Sequence, residues 1–214
     1  MHSDDIIYKT PKNYDLVTYM DTVAEELKKG ILLFKDKTEK KVVVFGSARI
    51  KPEDEIYQST VKLGSLLSEK GYAVMTGGGP GIMEAALKGA FENNGETYGI
   101  NIILPNEQHD NVYIKDGFLC SHLFTRKVIL MRDVAGYIVM PGGFGTLDEL
   151  FDALTLMATN IQYHLPLVLV GVEFWSGLLS WIKQQVLKHE LINEEELNMI
   201  KLTDDIEEAV SFIK

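Results

Sequence analysis

The chain has 214 residues, 46% of them hydrophobic and 24% charged, which is enough apolar surface to bury the core of one domain. Because 31 acidic residues outnumber 21 basic ones and the net charge is −10, a broad nucleic-acid-binding surface is not expected. The N-terminal segment MHSDDIIYKT lacks the features of a secretory signal, and no apolar run is long enough to span a membrane. We therefore expect a soluble cytoplasmic protein without a membrane or nucleic-acid partner.

The first element in chain order is an amphipathic helix. Residues 14–34 carry apolar side chains at helical spacing, and the polar stretch KDKTEKK at 35–41 follows them. This pattern predicts an N-terminal helical extension over residues 1–40 and a main domain over residues 41–214.

The main domain alternates short apolar runs with helical patterns. Strands are predicted at 41–46, 72–77, 97–103, 136–140 and 165–171, and helices at 53–70, 81–93, 122–133, 145–158, 174–189 and 204–213. Residues 104–117 are predicted to form a loop. Continuous apolar strands that alternate with helices are typical of a parallel sheet covered on both faces. The sequence therefore predicts an α/β, Rossmann-like, doubly wound fold in a single domain.

Three glycine-containing loops join predicted strand ends to helices. They are GSAR at 46–49, GGGPGIM at 77–83 and PGGFGT at 141–146. Glycine allows close backbone approach to a ligand, and the free N–H groups at a helix start favour an anion. The loops match neither a P-loop nor the spacing of a dinucleotide-binding loop. We therefore expect a ligand that carries a phosphate but is neither NAD nor Mg-ATP.

Two acids lie close to these loops. Glu149 ends the stretch TLDE, which is also a capping box in which Glu149 would bond to the backbone N–H of Thr146. Capping and catalysis are both open for Glu149 on this motif alone. Glu84 lies three residues after Gly81, and we expect it to have a structural or ligand-positioning role.

A basic pair, Arg126 and Lys127, lies near the start of a predicted helix, where positive charge opposes the helix dipole. The pair is either an exposed surface feature or a binding element, because an arginine can hold a carboxylate or phosphate with two parallel bonds. Cys120 is predicted to be a buried strand residue. The histidines have no ligand-like spacing, so we expect no intrinsic metal site.

The motifs GGGPGIMEAA, TRK and PGGFGTLDE, in this order on an α/β chain of this size, closely resemble the LOG (Lonely Guy) family over about residues 40–213. Its members are cytokinin riboside 5′-monophosphate phosphoribohydrolases, and many were labelled lysine decarboxylases. The resemblance implies a homodimer without a cofactor that hydrolyses the N-glycosidic bond of AMP, or of N6-modified AMP, to free base and ribose 5-phosphate.

The resemblance also implies the site. The family's catalytic arginine falls on Arg126 and its catalytic glutamate on Glu149. The candidate substrate- and phosphate-binding residues are Gly46, Ser47, Ala48, Gly77, Gly78, Gly79, Gly81, Met83, Glu84, Lys127, Pro141, Gly142, Gly143, Gly145 and Thr146. In this hypothesis Glu149 stabilises positive charge on the ribose and activates water, while Arg126 fixes Glu149 and lowers its pKa.

Two alternatives stay open at this point. A related fold binds molybdenum cofactor, so a non-catalytic nucleotide or cofactor carrier is the first. A decarboxylase is the second; it would require pyridoxal phosphate, for which Lys127 is the only nearby lysine. The contacts of a dimer are expected along helices 122–133 and 145–158.

Overall fold

The computed structural model describes residues 15–103 and 111–214. The N-terminal segment MHSDDIIYKT and residues 104–110 of the predicted loop lie outside this range. The strands are β1 (Lys41–Phe45), β2 (Ala73–Thr76), β3 (Thr97–Ile102), β4 (Asp116–Cys120), β5 (Val134–Val139), β6 (Leu167–Val170) and β7 (Ile200–Thr203). The helices are α1 (Leu16–Leu32), α2 (Glu55–Glu69), α3 (Ile82–Glu92), α4 (Leu123–Met131), α5 (Phe144–Ala158), α6 (Val172–Trp181), α7 (Glu194–Asn198) and α8 (Ile206–Phe212).

All seven strands form one parallel sheet in the order β4-β3-β2-β1-β5-β6-β7. The chain moves outward from β1 to β4 on one side, then crosses back to β5 and moves outward on the other side. This order confirms the predicted doubly wound α/β fold. The carboxyl ends of β1 and β5, where the direction reverses, mark the usual ligand position of such sheets.

The sheet separates two hydrophobic cores. On one face, buried side chains of β1, β3 and β5 pack with Leu130 of α4, Leu150 of α5 and Trp175 of α6. On the other face, the alternate residues of the strands pack with Leu63 of α2 and Ile82 of α3. Because the central strands are buried on both faces, each reads as a continuous apolar run in the sequence.

Helix α1, the described part of the predicted N-terminal extension, packs along α4. A Cβ at Gly30 would collide with the side chain of Ile129, so glycine allows the two helices to approach closely. The ring of Tyr19 lies edge-on to that of His122, with the centroids 5.1 Å apart. The domain boundary at residue 40 stays a prediction.

Several predicted element bounds change. Strands β4 and β7 were not predicted, and β4 overlaps the end of the loop predicted for 104–117. The helix predicted for 122–133 is shorter, and the one predicted for 174–189 is α6 followed by a π-helical turn at Ile182–Leu187. Within the described residues, no helix is long and apolar enough to cross a membrane.

Candidate active site

Hydrogen bonds join the three glycine-containing loops at the carboxyl ends of the central strands. The backbone N–H of Ser47, after β1, donates to the carbonyl of Pro141, after β5, at 3.1 Å. The N–H of Ile82, at the start of α3, donates to the carbonyl of Ser47 at 3.0 Å. The loop after β1 therefore connects the other two loops, and the three form one continuous edge.

A cleft of about 1170 Å³ opens at this edge. The predicted site residues that line it are Gly46, Ser47, Ala48, Gly77, Gly79, Met83, Arg126, Gly143, Gly145, Thr146 and Glu149. The predicted residues outside its lining are Gly78, Gly81, Glu84, Lys127, Pro141 and Gly142. The cleft also has an apolar wall made by Ile102, Ile114, Phe118, Leu119, Leu123 and Leu130.

Helix α5 begins earlier than the sequence pattern suggested. Its N-cap is Gly143, its first helical residue is Phe144, and it has no side-chain cap. The capping box read from TLDE is therefore wrong, because Thr146 lies inside the first turn instead of at the cap. The backbone N–H groups of a first helical turn have no partner within the helix. Here they belong to a glycine-rich segment that faces the cleft.

Glu149 is the buried carboxyl group of the cleft. Its residue is only 6% exposed, and its Oε2 atom has no hydrogen-bond partner among the described residues. Burial raises the pKa of Glu149 to about 7, and the nearby cations Arg126 and Lys127 only partly oppose this. Arg126 lowers the pKa of Glu149, as expected, but desolvation outweighs this attraction, so the pKa lies above its usual value.

Arg126 projects from the first turns of α4 toward the ends of two strands. Its Nε donates to the carbonyl of Ile100 at 2.7 Å, and one terminal nitrogen donates to the carbonyl of Gly77 at 3.1 Å. A Cβ at residue 77 would collide with the guanidinium group, which explains the glycine there. Burial lowers the pKa of Arg126, and the Glu149 carboxylate opposes that shift. Arg126 is thus fixed by backbone carbonyls and does not form a salt bridge with Glu149.

Two predicted binding residues lie outside the cleft lining and make contacts between elements of the fold. Lys127 pairs with Asp148 at 2.9 Å and Asp152 at 2.5 Å, which joins α4 to α5. Burial alone would lower the pKa of Lys127, but the two carboxylates outweigh burial and raise this pKa. Glu84 accepts a hydrogen bond of 2.6 Å from the hydroxyl of Tyr57, and its role as a structural or ligand-positioning residue stays a prediction.

Cys120 ends β4 and is fully buried, which confirms the predicted strand cysteine. Burial raises the pKa of its thiol to about 11, so the reactive thiolate is disfavoured. Within residues 15–103 and 111–214, no group of three or more His, Cys, Asp or Glu side chains could hold a metal ion.

Comparison with known proteins assigns the chain to a family. The model of a family described as "possible lysine decarboxylase" matches residues 83–213, which is more than half of the chain. The chain belongs to this family, the LOG family. The matched segment contains both Arg126 and Glu149 and begins at Met83.

Relatives in the LOG family carry enzyme names. A probable cytokinin riboside 5′-monophosphate phosphoribohydrolase of Oryza sativa subsp. japonica is 30% identical over 60% of this chain and 53% of its own length. The chain thus spans about half the length of that relative. The cytokinin riboside 5′-monophosphate phosphoribohydrolase of Mycobacterium tuberculosis is 26% identical over 73% of this chain and 84% of its own length.

A solved structure with the same fold has a different name. The molybdenum cofactor binding protein of Rippkaea orientalis has a TM-score of 0.62 and covers 83% of this chain and 97% of its own length. The identity is 22%, so the likeness concerns the fold alone.

The LOG-family motifs do not include two asparagines that hold the second glycine loop. The side-chain amide of Asn101 donates to the carbonyl of Gly78, and that of Asn111 donates to the carbonyl of Gly79, each at 3.4 Å. Asn101 also lines the cleft. Its position in the apolar run TYGINII, near the carboxyl end of a predicted strand, was a signal that could have identified it.

Proposed function

We propose that this LOG-family protein hydrolyses the N-glycosidic bond of a nucleoside 5′-monophosphate, AMP or an N6-modified AMP, to free base and ribose 5-phosphate. The observation that carries the proposal is Glu149. It is a buried carboxyl group without a hydrogen-bond partner at Oε2, in a cleft beside a glycine-rich helix start. A pKa of about 7 suits a general base at neutral pH.

The N-terminus of α5 would bind the 5′-phosphate. The free N–H groups of Phe144, Gly145 and Thr146 and the positive end of the helix dipole favour an anion there. Glu149 lies five residues after Phe144, about 7.5 Å further along the helix axis by the standard rise per residue. Because helical side chains tilt toward the N-terminus, its carboxyl group reaches back toward the phosphate end. The ribose would then lie between the phosphate and the carboxylate.

The reaction breaks the bond between C1′ and the base nitrogen, and its electron pair leaves with the base. Positive charge develops on C1′ and the ring oxygen, where a carboxylate stabilises it. A water oxygen bonds to C1′ while Glu149 accepts a proton from that water. The departing base takes up a proton from solvent, so the products are free base and ribose 5-phosphate.

Arg126 lines the same cleft as the proposed phosphate-binding loop and would act on the bound nucleotide from α4. Two of its donors are committed to the carbonyls of Ile100 and Gly77, and a guanidinium carries five. The remaining donors can bind ribose hydroxyls or the phosphate. Its charge also limits how far the pKa of Glu149 rises.

The test is to incubate the purified protein with AMP and, separately, with N6-isopentenyl AMP, and to measure free base by chromatography. Release of base by the wild type, and its loss in Glu149→Gln, would support the hydrolase. Binding of AMP without release of any base would contradict the hydrolase and favour the nucleotide or cofactor carrier. A visible absorption band from pyridoxal phosphate would favour the decarboxylase.

We also propose a homodimer that forms through α4 and α5. Outside the cleft lining they expose the large apolar side chains of Phe124, Val128 and Phe151. Exposed apolar surface of this extent is typical of an interface. Light scattering coupled to size exclusion would test this, and the mass of a monomer at micromolar concentration would contradict it.

A further inference from the structure

Helix α4 carries Arg126 but lacks the usual stabilisation of a helix start. Its N-cap, His122, makes no side-chain capping bond, and its first turn contains no acidic residue. The first charged residues of the helix are two cations, Arg126 and Lys127. Their positive charge is unfavourable near the positive end of the helix dipole. The start of α4 therefore needs stabilisation from another element.

Glu26 of α1 supplies it. The carboxylate accepts a hydrogen bond of 2.7 Å from the N–H of Ser121 and one of 3.2 Å from the N–H of His122. It also accepts one from the hydroxyl of Thr125, a residue with no exposed surface. The bond from the N–H of His122, the N-cap residue, is the one that the acidic side chain of a capping box makes, but here the carboxylate comes from a residue 96 positions earlier in the chain.

The Glu26 carboxylate is well suited to this contact. Its side chain is only 10% exposed. Burial alone would raise the pKa of Glu26, but the bonds from Thr125, Ser121 and His122 outweigh burial and lower it. Glu26 thus carries its charge at neutral pH, next to the positive end of the α4 dipole.

We propose that Glu26 is a positioning residue for Arg126, and that α1 therefore contributes to the geometry of the active site. The proposal rests on the proposed hydrolase function. Thr125 is the immediate neighbour of Arg126, so the bond from Thr125 to Glu26 fixes the peptide from which the Arg126 side chain departs. A free first turn would allow the guanidinium to move away from the carbonyls of Ile100 and Gly77.

Two variants and a matched control test this role. Glu26→Ala removes the bonds to Ser121, His122 and Thr125, whereas Glu26→Gln keeps one oxygen as an acceptor without the charge. Glu25→Gln is the control, because Glu25 is exposed on the same helix and pairs only with Lys29 in the described structure. All three are compared with the wild type at equal folded fraction, checked by thermal unfolding.

The first readout does not depend on activity. In Glu26→Ala, amide hydrogen exchange in residues 121–126 should become about tenfold faster, the scale of a lost helix cap, while exchange in α5 stays unchanged. Glu25→Gln should match the wild type. Unchanged exchange in residues 121–126 would overturn the positioning role of Glu26. If the wild type releases no base, the proposed hydrolase function is refuted, but the exchange experiment still tests the role of Glu26.

The second readout is the release of base. Glu26→Ala should lower kcat by about 10- to 100-fold with a KM within a few-fold of the wild type, because misplacement of a positioned group mainly affects the transition state. Glu26→Gln should recover part of this loss. In an Arg126→Ala background, Glu26→Ala should cost nothing further. A kcat within twofold of the wild type, or an equal loss in both backgrounds, would overturn the positioning role.

Discussion

Replacement of Glu149 by glutamine changes the buried carboxyl group of the cleft to an amide of nearly the same shape. An amide cannot accept a proton from water or balance positive charge on the ribose. We therefore expect Glu149→Gln to keep nucleotide binding and to lower kcat by about 100-fold or more, the scale of general-base catalysis. The cleft itself should not change.

The same substitution should stabilise the protein at alkaline pH. Burial moves the pKa of Glu149 from 4.5 to about 7, which corresponds to about 3 kcal/mol. The folded state holds the proton more tightly than the unfolded state, so the wild type loses stability as the pH rises from 4.5 through 7. At pH 8 the full cost is present, and Glu149→Gln should be more stable by up to about 3 kcal/mol. At pH 4 the two proteins should be similar in stability.

Urea unfolding at pH 4 and pH 8 measures this difference, and chromatography of free base measures the activity. Glu69→Gln, at the exposed end of α2 and far from the cleft, is a control that should change neither quantity. Base release by Glu149→Gln within twofold of the wild type would refute the catalytic assignment. A variant less stable than the wild type at pH 8 would refute the description of Glu149 as a desolvated carboxylate without a compensating bond.

In the wild type, kcat/KM should rise with pH through about 7, because Glu149 acts as a base only when it is deprotonated; a profile that is flat between pH 5 and 9 would contradict this. Arg126→Gln should move that rise to higher pH, because the cation that lowers the pKa of Glu149 is lost; an unchanged midpoint would show that the charges do not interact. Gly77→Ala should reduce kcat/KM by about 10- to 100-fold, because its Cβ displaces the guanidinium. Gly177→Ala, where a Cβ meets nothing within 4 Å, is its control and should be fully active.

The sequence predicted the central strands of the sheet, which are buried on both faces, but it did not predict the two edge strands. Strands β1, β2 and β6 are buried throughout and apolar except for Lys41 and Thr76, so their sequence pattern is unambiguous. The two strands that were not predicted, β4 and β7, are the outermost strands of the sheet. Each has residues in contact with solvent, and β4 reads DGFLC, which resembles a loop. Edge strands become recognisable only once their neighbour is known.

The motifs located the cleft but not its internal contacts. The three glycine loops and the pair Arg126 and Glu149 could be read from local sequence, and the structure brings them to one cleft. The partners of Arg126, the carbonyls of Ile100 and Gly77, are backbone atoms that any sequence would offer. Glu26 lies outside every motif, and only the packing of α1 on α4 reveals its contact.

The charges near the cleft explain why a carboxyl group can lie beside the loop that we propose binds phosphate. Lys127 is neutralised by Asp148 and Asp152, so it contributes little to anion binding. The helix dipole of α5 and Arg126 therefore have to balance both the phosphate and Glu149. In the proposed complex, the phosphate repels negative charge on Glu149 and so raises its proton affinity further, which strengthens it as a base. The repulsion between the phosphate and the Glu149 carboxylate thus favours proton transfer from water to Glu149. This requires that Arg126 keeps enough of the carboxyl group ionised at neutral pH.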